Sequence, residues 1–337
     1  LPLGVIMMAS EAGCACNYEE AAKGLAEALS LPKAGVSPVL SATADTMRAL
    51  FVDHPSGRSE GALVAMGAAI ATLEEHSEDD QLGFIALALI LRALVQNHLG
   101  RYEGALADAR RATEILTRRG AGPGFARVLV KLRAVALAGL TRWGELEAEL
   151  AAAEPAERLL GSNYAFRLAV PRARLAAHRG DAEEVSRQID FAVRAIAAYG
   201  FSFDTPTWLC DLAEAAVDAG LQERAVDLHR QATEAAERAR TPWSRTRADL
   251  VGALAHEGTE HGDELLAAAL ARTKHRDHAG IWTARDRPYS ARLLAIAITN
   301  RTGPEGEAEE LLARCGGEVL EEVADRLSHA DATARLS

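Results

Sequence analysis

A helix-turn-helix phrase that returns about every forty residues constrains this chain more than any other feature. It is clearest at Leu99-Gly100-Arg101-Tyr102-Glu103-Gly104-Ala105-Leu106, with apolar residues at helical spacing on both sides. Glycine suits a helix end because it has no Cβ to penalise positive φ. Alanine at 105 is small enough for the second helix to lie close against the first, and Ala109 and Ala112 extend that small face. With Gly100 as reference, equivalent turns fall at Cys16, Gly57, Thr141, Gly180, Gly220, Gly262 and Gly303, in steps of 39 to 43 residues; Gly258 is an alternative to Gly262. A small or apolar residue follows at the Ala105 place each time: Ala21, Ala62, Leu146, Val185, Ala225, Ala267 and Ala308. The spacing predicts one all-α array over residues 1–337, an α-α superhelix of about eight helix pairs.

Composition agrees with this reading. Alanine and leucine dominate, period-two runs of β-branched residues are missing, and no linker divides the 337 residues. With 49% hydrophobic and 25% charged residues the chain can bury a continuous core. A net charge of −11 and the lack of a basic run argue against a nucleic-acid backbone as partner. Cys14, Cys16, Cys210 and Cys315 form neither a disulfide framework nor a CxxC pair, which fits a reducing cytoplasm. Leu1 to Ala9 is apolar but short and reads as part of a first helix, and no apolar run reaches the roughly 18 residues a membrane span needs.

The phrase resembles the tetratricopeptide repeat, which has a glycine at the turn, an aromatic two residues later and alanines at the close contacts. Gly100, Tyr102, Ala105 and Ala112 match it, as do Gly220, Ala225 and Ala232. Tyr18 and Trp143 keep the aromatic, whereas Ser59, Ala182 and Gln222 replace it, and the spacing exceeds the usual 34 residues. Longer repeats of this kind are similar to the C-terminal arrays of large bacterial LuxR-type ATPase regulators related to the maltotriose-responsive activator. The stretch from Ala213 to Gly220, followed by Glu223-Arg224-Ala225, has that character.

Local punctuation sets helix boundaries. Ser37-Pro38, Thr205-Pro206 and Thr241-Pro242 each place a capping hydroxyl before a proline suited to a first helical position, and Ser77 precedes three acidic residues. Pro171 falls inside the helix expected from about Ser162 to Arg179 and should bend it.

Enzyme signatures are weak. His256 and His261 are five residues apart, so on one helix their imidazoles would diverge by about 140° and could not chelate a metal as an i, i+4 pair would. The string from Lys274 to His278 reads as a hydrated helix end. Gly120 to Gly124 follows a helix and lacks a GxxxxGK[ST] continuation, so it reads as an inter-repeat loop. No catalytic residue, metal site or cofactor is expected.

The resemblance implies that the first helix of each pair lines a concave groove. Counting back from the turns places Asn97, Lys131, Arg167, Arg174, His178 and Glu214 there, with Trp208 among nearby aromatics at Tyr164, Phe166, Tyr199, Phe201 and Phe203. Cations beside aromatic walls suit a carboxylate or phosphate; the same cations could equally pair with glutamates of neighbouring helices. Trp243 and Trp282 read as packing anchors between repeats. Two functional readings remain open. One is a sensor or effector region of a bacterial transcriptional regulator, binding a protein, peptide or small anionic ligand. The other is a free-standing scaffold that holds a partner's peptide in the groove and whose convex face serves self-association.

Overall fold

A computed structural model describes residues 7–8, 11–14, 17–30, 37–76, 83–120, 123–160, 166–274, 288–314, 323–324 and 327. The fold is all-α, with fifteen α-helices of eight or more residues and no strand among the described residues. They are α1 (Tyr18–Ser30), α2 (Pro38–Arg48), α3 (Ser59–Glu75), α4 (Phe84–His98), α5 (Tyr102–Arg118), α6 (Pro123–Gly139), α7 (Trp143–Leu160) and α8 (Ala169–His178). There follow α9 (Ala182–Tyr199), α10 (Thr205–Asp218), α11 (Gln222–Ala239), α12 (Pro242–Ala255), α13 (Glu260–Lys274), α14 (Pro288–Asn300) and α15 (Glu307–Arg314). Seven consecutive pairs run from α2–α3 to α14–α15. Each first helix touches the first helix of the next pair, and each second helix touches the first helix that follows it. This nearest-neighbour stacking defines a superhelical repeat array.

The expected contact residues explain the pairing. Ala21, Ala62, Ala105, Leu146, Val185 and Ala225 are wholly buried, and Ala308 nearly so. Tyr102 shows why the turn is followed by an aromatic: its ring lies against Gly139 at the end of α6, where an added Cβ would sit 2.2 Å from the ring. Helix ends use the left-handed turn that glycine tolerates, with φ of +72° at Gly100 and +70° at Gly220.

Three boundaries differ from the sequence expectation. In the α12–α13 pair the positive φ belongs to Gly258, whereas Gly262 lies inside α13, where a Cβ would meet the His256 carbonyl at 2.3 Å. Gly262 therefore makes the close contact expected of Ala267, which is only half-buried. The longer turn also separates His256, the cap of α12, from His261 in α13, so their rings pack edge to face 4.9 Å apart instead of diverging along one helix. Pro171 sits in the first turn of α8, behind a 3-10 turn at Phe166–Leu168, where an amide donor is not needed, so it starts a helix and does not bend one. Pro155 is the proline inside a helix, in α7.

Capping follows the sequence at Thr241, whose hydroxyl accepts from the Ser244 amide at 3.1 Å ahead of Pro242. Ser37 precedes Pro38 at the start of α2 without a side-chain cap bond. Cys16, Ser77 to Asp80, Tyr164, His275 to His278, Trp282, Cys315 and most of Leu1 to Ala9 lie outside the described residues.

Ala105→Leu and Gly139→Ala should each lower the melting temperature, since overpacking costs about 1–3 kcal/mol. Gly139→Ala is the sharper case, because helix propensity alone would make it stabilising by about 1 kcal/mol. A raised melting temperature would refute the Tyr102 packing. His229 of α11 is buried against Gly252 and Leu265, and burial, with His256 and His261 nearby, lowers its pKa from 6.5 to about 4. Below pH 6.5 the unfolded chain takes up a proton that the folded chain refuses, so stability should fall between about pH 6.5 and 4. His229→Leu should flatten that part of a thermal-melt pH profile.

Candidate functional site

The first helices of three successive pairs, α4, α6 and α8, together with α9 and the first half of α10, line a narrow cleft. Leu94, Leu132, Val135, Val170, Ile196 and Leu212 form apolar walls, and Asn97, Lys131, Arg167, Arg174, Trp208 and Asp211 bring polar or charged groups to the same space. Five of the seven residues selected from sequence thus line one cleft. His178 lies outside it, exposed and stacked on Trp143 at 4.4 Å. Glu214 is buried behind it and paired with Arg247.

Asn97 is 4% exposed, and its Nδ2 donates to the Leu132 carbonyl at 3.1 Å, which fixes the amide orientation. Its Oδ1 is buried with no hydrogen-bond partner. Such an acceptor is costly unless something in the cleft donates to it. Arg167 stands beside the Phe166 ring, 5.6 Å from the centroid, and pairs with no carboxylate among the described residues. Phe166 and Trp208 meet edge to face at 5.2 Å and form the aromatic wall. Of the other aromatics, Phe201 lies under Arg238 at 4.4 Å, and Phe203 packs on Phe51 at 5.7 Å, away from the cleft.

Lys131 joins this wall to the interior. Its Nζ lies 4.7 Å from the Trp208 ring centroid and donates to Asp204 Oδ2 at 2.8 Å. Burial pushes the Asp204 carboxyl up, but the Lys131 ammonium and His98 overcome that and hold it well below the ordinary carboxylate range. Asp204 is the N-cap residue of α10, yet its side chain makes no cap bond and turns to Lys131 instead. From Asp204 a buried polar chain continues: His98 Nε2 lies 3.7 Å from Oδ1, His98 Nδ1 bonds His54 Nε2 at 3.0 Å, and His54 Nδ1 bonds Ser59 Oγ at 2.9 Å. Trp243 packs on both imidazoles. It therefore bridges distant pairs and is more than an anchor between adjacent repeats.

A second buried group braces the cleft floor. Arg247 of α12 donates to Glu214 at 2.6 Å and to Asp211 at 2.8 Å, both on α10. Burial opposes the Arg247 charge, and the two carboxylates more than offset it, so its pKa is raised. Sequence reasoning missed Asp204, His54, His98 and Arg247. The available signal was a polar residue at an otherwise apolar helix position, as at Arg247 within α12, but the partner is 33 or more residues away.

No family model matches the sequence, and no curated protein matches it either. The fold is similar to a solved structure described as a Rap protein complexed with Competence and Sporulation Factor. The TM-score is 0.61 and the identity 14%, over 89% of this chain and 81% of that one. At this identity the likeness shows the fold alone. No helix among the described residues is long and apolar enough to cross a membrane.

Lys131→Met should cost about 3–5 kcal/mol in denaturant unfolding, because it leaves the Asp204 carboxylate buried without its cation. The double variant with Asp204→Asn should recover most of that loss. In the native chain the pair's contribution is fully present above the ordinary carboxylate range and is lost progressively as the pH falls from that range toward the depressed value of Asp204, because the unfolded chain takes up the proton first. Equal losses in the single and double variants would refute the pairing.

Proposed function

We propose that this array is a binding module whose cleft takes a protein or peptide segment bearing an anionic group. The observation that carries this reading is the meeting of two groups inside one apolar-walled cleft: a partly exposed guanidinium at Arg167 that pairs with no carboxylate among the described residues, and a buried acceptor at Asn97 that finds no donor among them. An extended peptide offers both complements, a carboxylate for the guanidinium fork and a backbone N–H for the amide oxygen. Trp208 and Phe166 supply the apolar contact that orients such a segment. That the structurally similar Rap protein was solved in complex with Competence and Sporulation Factor supports a bound partner for this fold.

At a finer level we read the module as the sensor region of a bacterial transcriptional regulator acting in the cytoplasm, on the strength of repeats near forty residues like those of LuxR-type regulators. The alternative is a free-standing scaffold. The gene's flanking sequence separates them: adjoining ATPase and DNA-binding domains support the sensor, and their absence supports the scaffold.

Immobilised protein should retain members of a random octapeptide pool that carry acidic side chains or a free C-terminal carboxylate, identified by mass spectrometry. Arg167→Ala should weaken binding of the retained peptides by about 1–3 kcal/mol in calorimetric titration while leaving the melting temperature unchanged. No retention, or unchanged affinity in the variant, would sink the reading.

A further inference from the structure

The polar chain ending on Lys131 has a position that the binding reading leaves unexplained. Nearest-neighbour stacking connects each pair only to the next, yet Asp204, Phe203 and Trp243 reach residues belonging to much earlier pairs. Phe203 packs on Phe51, in a π turn at Ala49–Asp53 that extends α2, and its amide donates to the Cys14 carbonyl at 3.2 Å. Trp243, at the start of α12, lies 4.5 Å from His54 and stacks on His98 at 6.2 Å. Asp204 lies between these contacts, on His98 and on Lys131. The loop before α10 therefore ties the N-terminal pairs across the superhelix to the central ones, and the cation it holds also lines the cleft.

We infer that Asp204 is a built-in stand-in for the ligand's carboxylate: a carboxylate entering the cleft competes with Asp204 for Lys131, and its binding loosens the bridge to the N-terminal pairs. This rests on the binding reading and adds the regulation of that same site. Three observations carry it. The Lys131 ammonium is already engaged by a carboxylate while presenting itself to the cleft beside Trp208, so the site's chemistry toward that group is visible in the chain itself. Asp204 has given up the cap bond its place at the start of α10 would favour, leaving it an alternative to which it can return once Lys131 is taken. The same residue contacts His98, whose imidazole is bonded to His54, so loss of the Lys131 contact is felt at the π turn that carries Phe51. Coupling of this kind is reciprocal: if binding weakens the bridge by a given factor, breaking the bridge strengthens binding by that factor.

Asp204→Asn keeps the size and a polar group but removes the charge that competes. Its affinity for a fluorescein-labelled random octapeptide pool with free C-terminal carboxylates should rise by about 5- to 150-fold, the usual range of coupling between sites. A C-terminally amidated pool lacking acidic residues should show no such rise. Phe203→Ala, which leaves every cleft residue in place, should raise affinity in the same direction and serves if Asp204→Asn does not fold. In the unmodified chain, a saturating amount of the free-carboxylate pool should speed backbone hydrogen exchange at residues 49–58. If the unmodified chain binds the pool but the variants bind it no better, or exchange at residues 49–58 is unchanged or slowed, competition is overturned while the binding reading stands. If neither the unmodified chain nor Asp204→Asn binds, both fall together.

Discussion

Close approach of two helices over a small residue is the contact on which this architecture depends. Wherever Ala62, Ala105 or Ala225 sits buried at the crossing, the partner helix can lie near enough to exclude water along its whole length, and the pair becomes a unit with one apolar edge left to cover. The next pair covers it. Tyr102 against Gly139 is the same principle one step further along, with a large ring accepted because the facing residue has no side chain. At Gly262 the requirement is met by a different residue than the spacing suggests, which shows that the need for a small contact outlasts the details of the turn.

Repetition of that contact makes a superhelical array in which some charged side chains are buried between helix pairs. The exposed pairs, such as Arg101 with Glu60 and Arg187 with Glu184, bind neighbouring turns or repeats and contribute little individually. The buried ones are of another kind. Arg247 with Glu214 and Asp211, and Lys131 with Asp204, are desolvated and depend on good geometry; breaking one side is far costlier than never having had the pair. Both groups border the cleft, so the residues that hold the central pairs together also shape the space between them.

The binding reading and the competition at Lys131 draw on the same economy of partners. Among the charged groups lining the cleft, Lys131 and Asp211 are held by Asp204 and Arg247, whereas Arg167 meets no carboxylate among the described residues. A ligand that satisfies Arg167 and Asn97 gains without disturbing the fold, and one that also takes Lys131 must displace Asp204. In the proposed competition the first interaction gives affinity and the second shifts Asp204, whose Oδ1 lies 3.7 Å from His98 at the head of the two-imidazole chain to His54.

The sequence by itself determined the helix pairs, their order and the buried alanines. These follow from rules acting over a few residues, in which apolar spacing, turn glycines and small contact positions are written locally. From the repeat register it singled out Asn97, Lys131, Arg167, Arg174 and Trp208, and these five line one cleft. Only the tertiary structure decided that Lys131 meets Asp204 at a separation of 73 residues, that His54 bonds His98 at 44, and that Phe51 finds Phe203. The cause is curvature: a small rotation at each pair, too slight to read from any one repeat, accumulates until distant pairs face each other across the superhelix. The same accumulation left Arg167 facing the cleft while Glu214 was drawn behind it to Arg247.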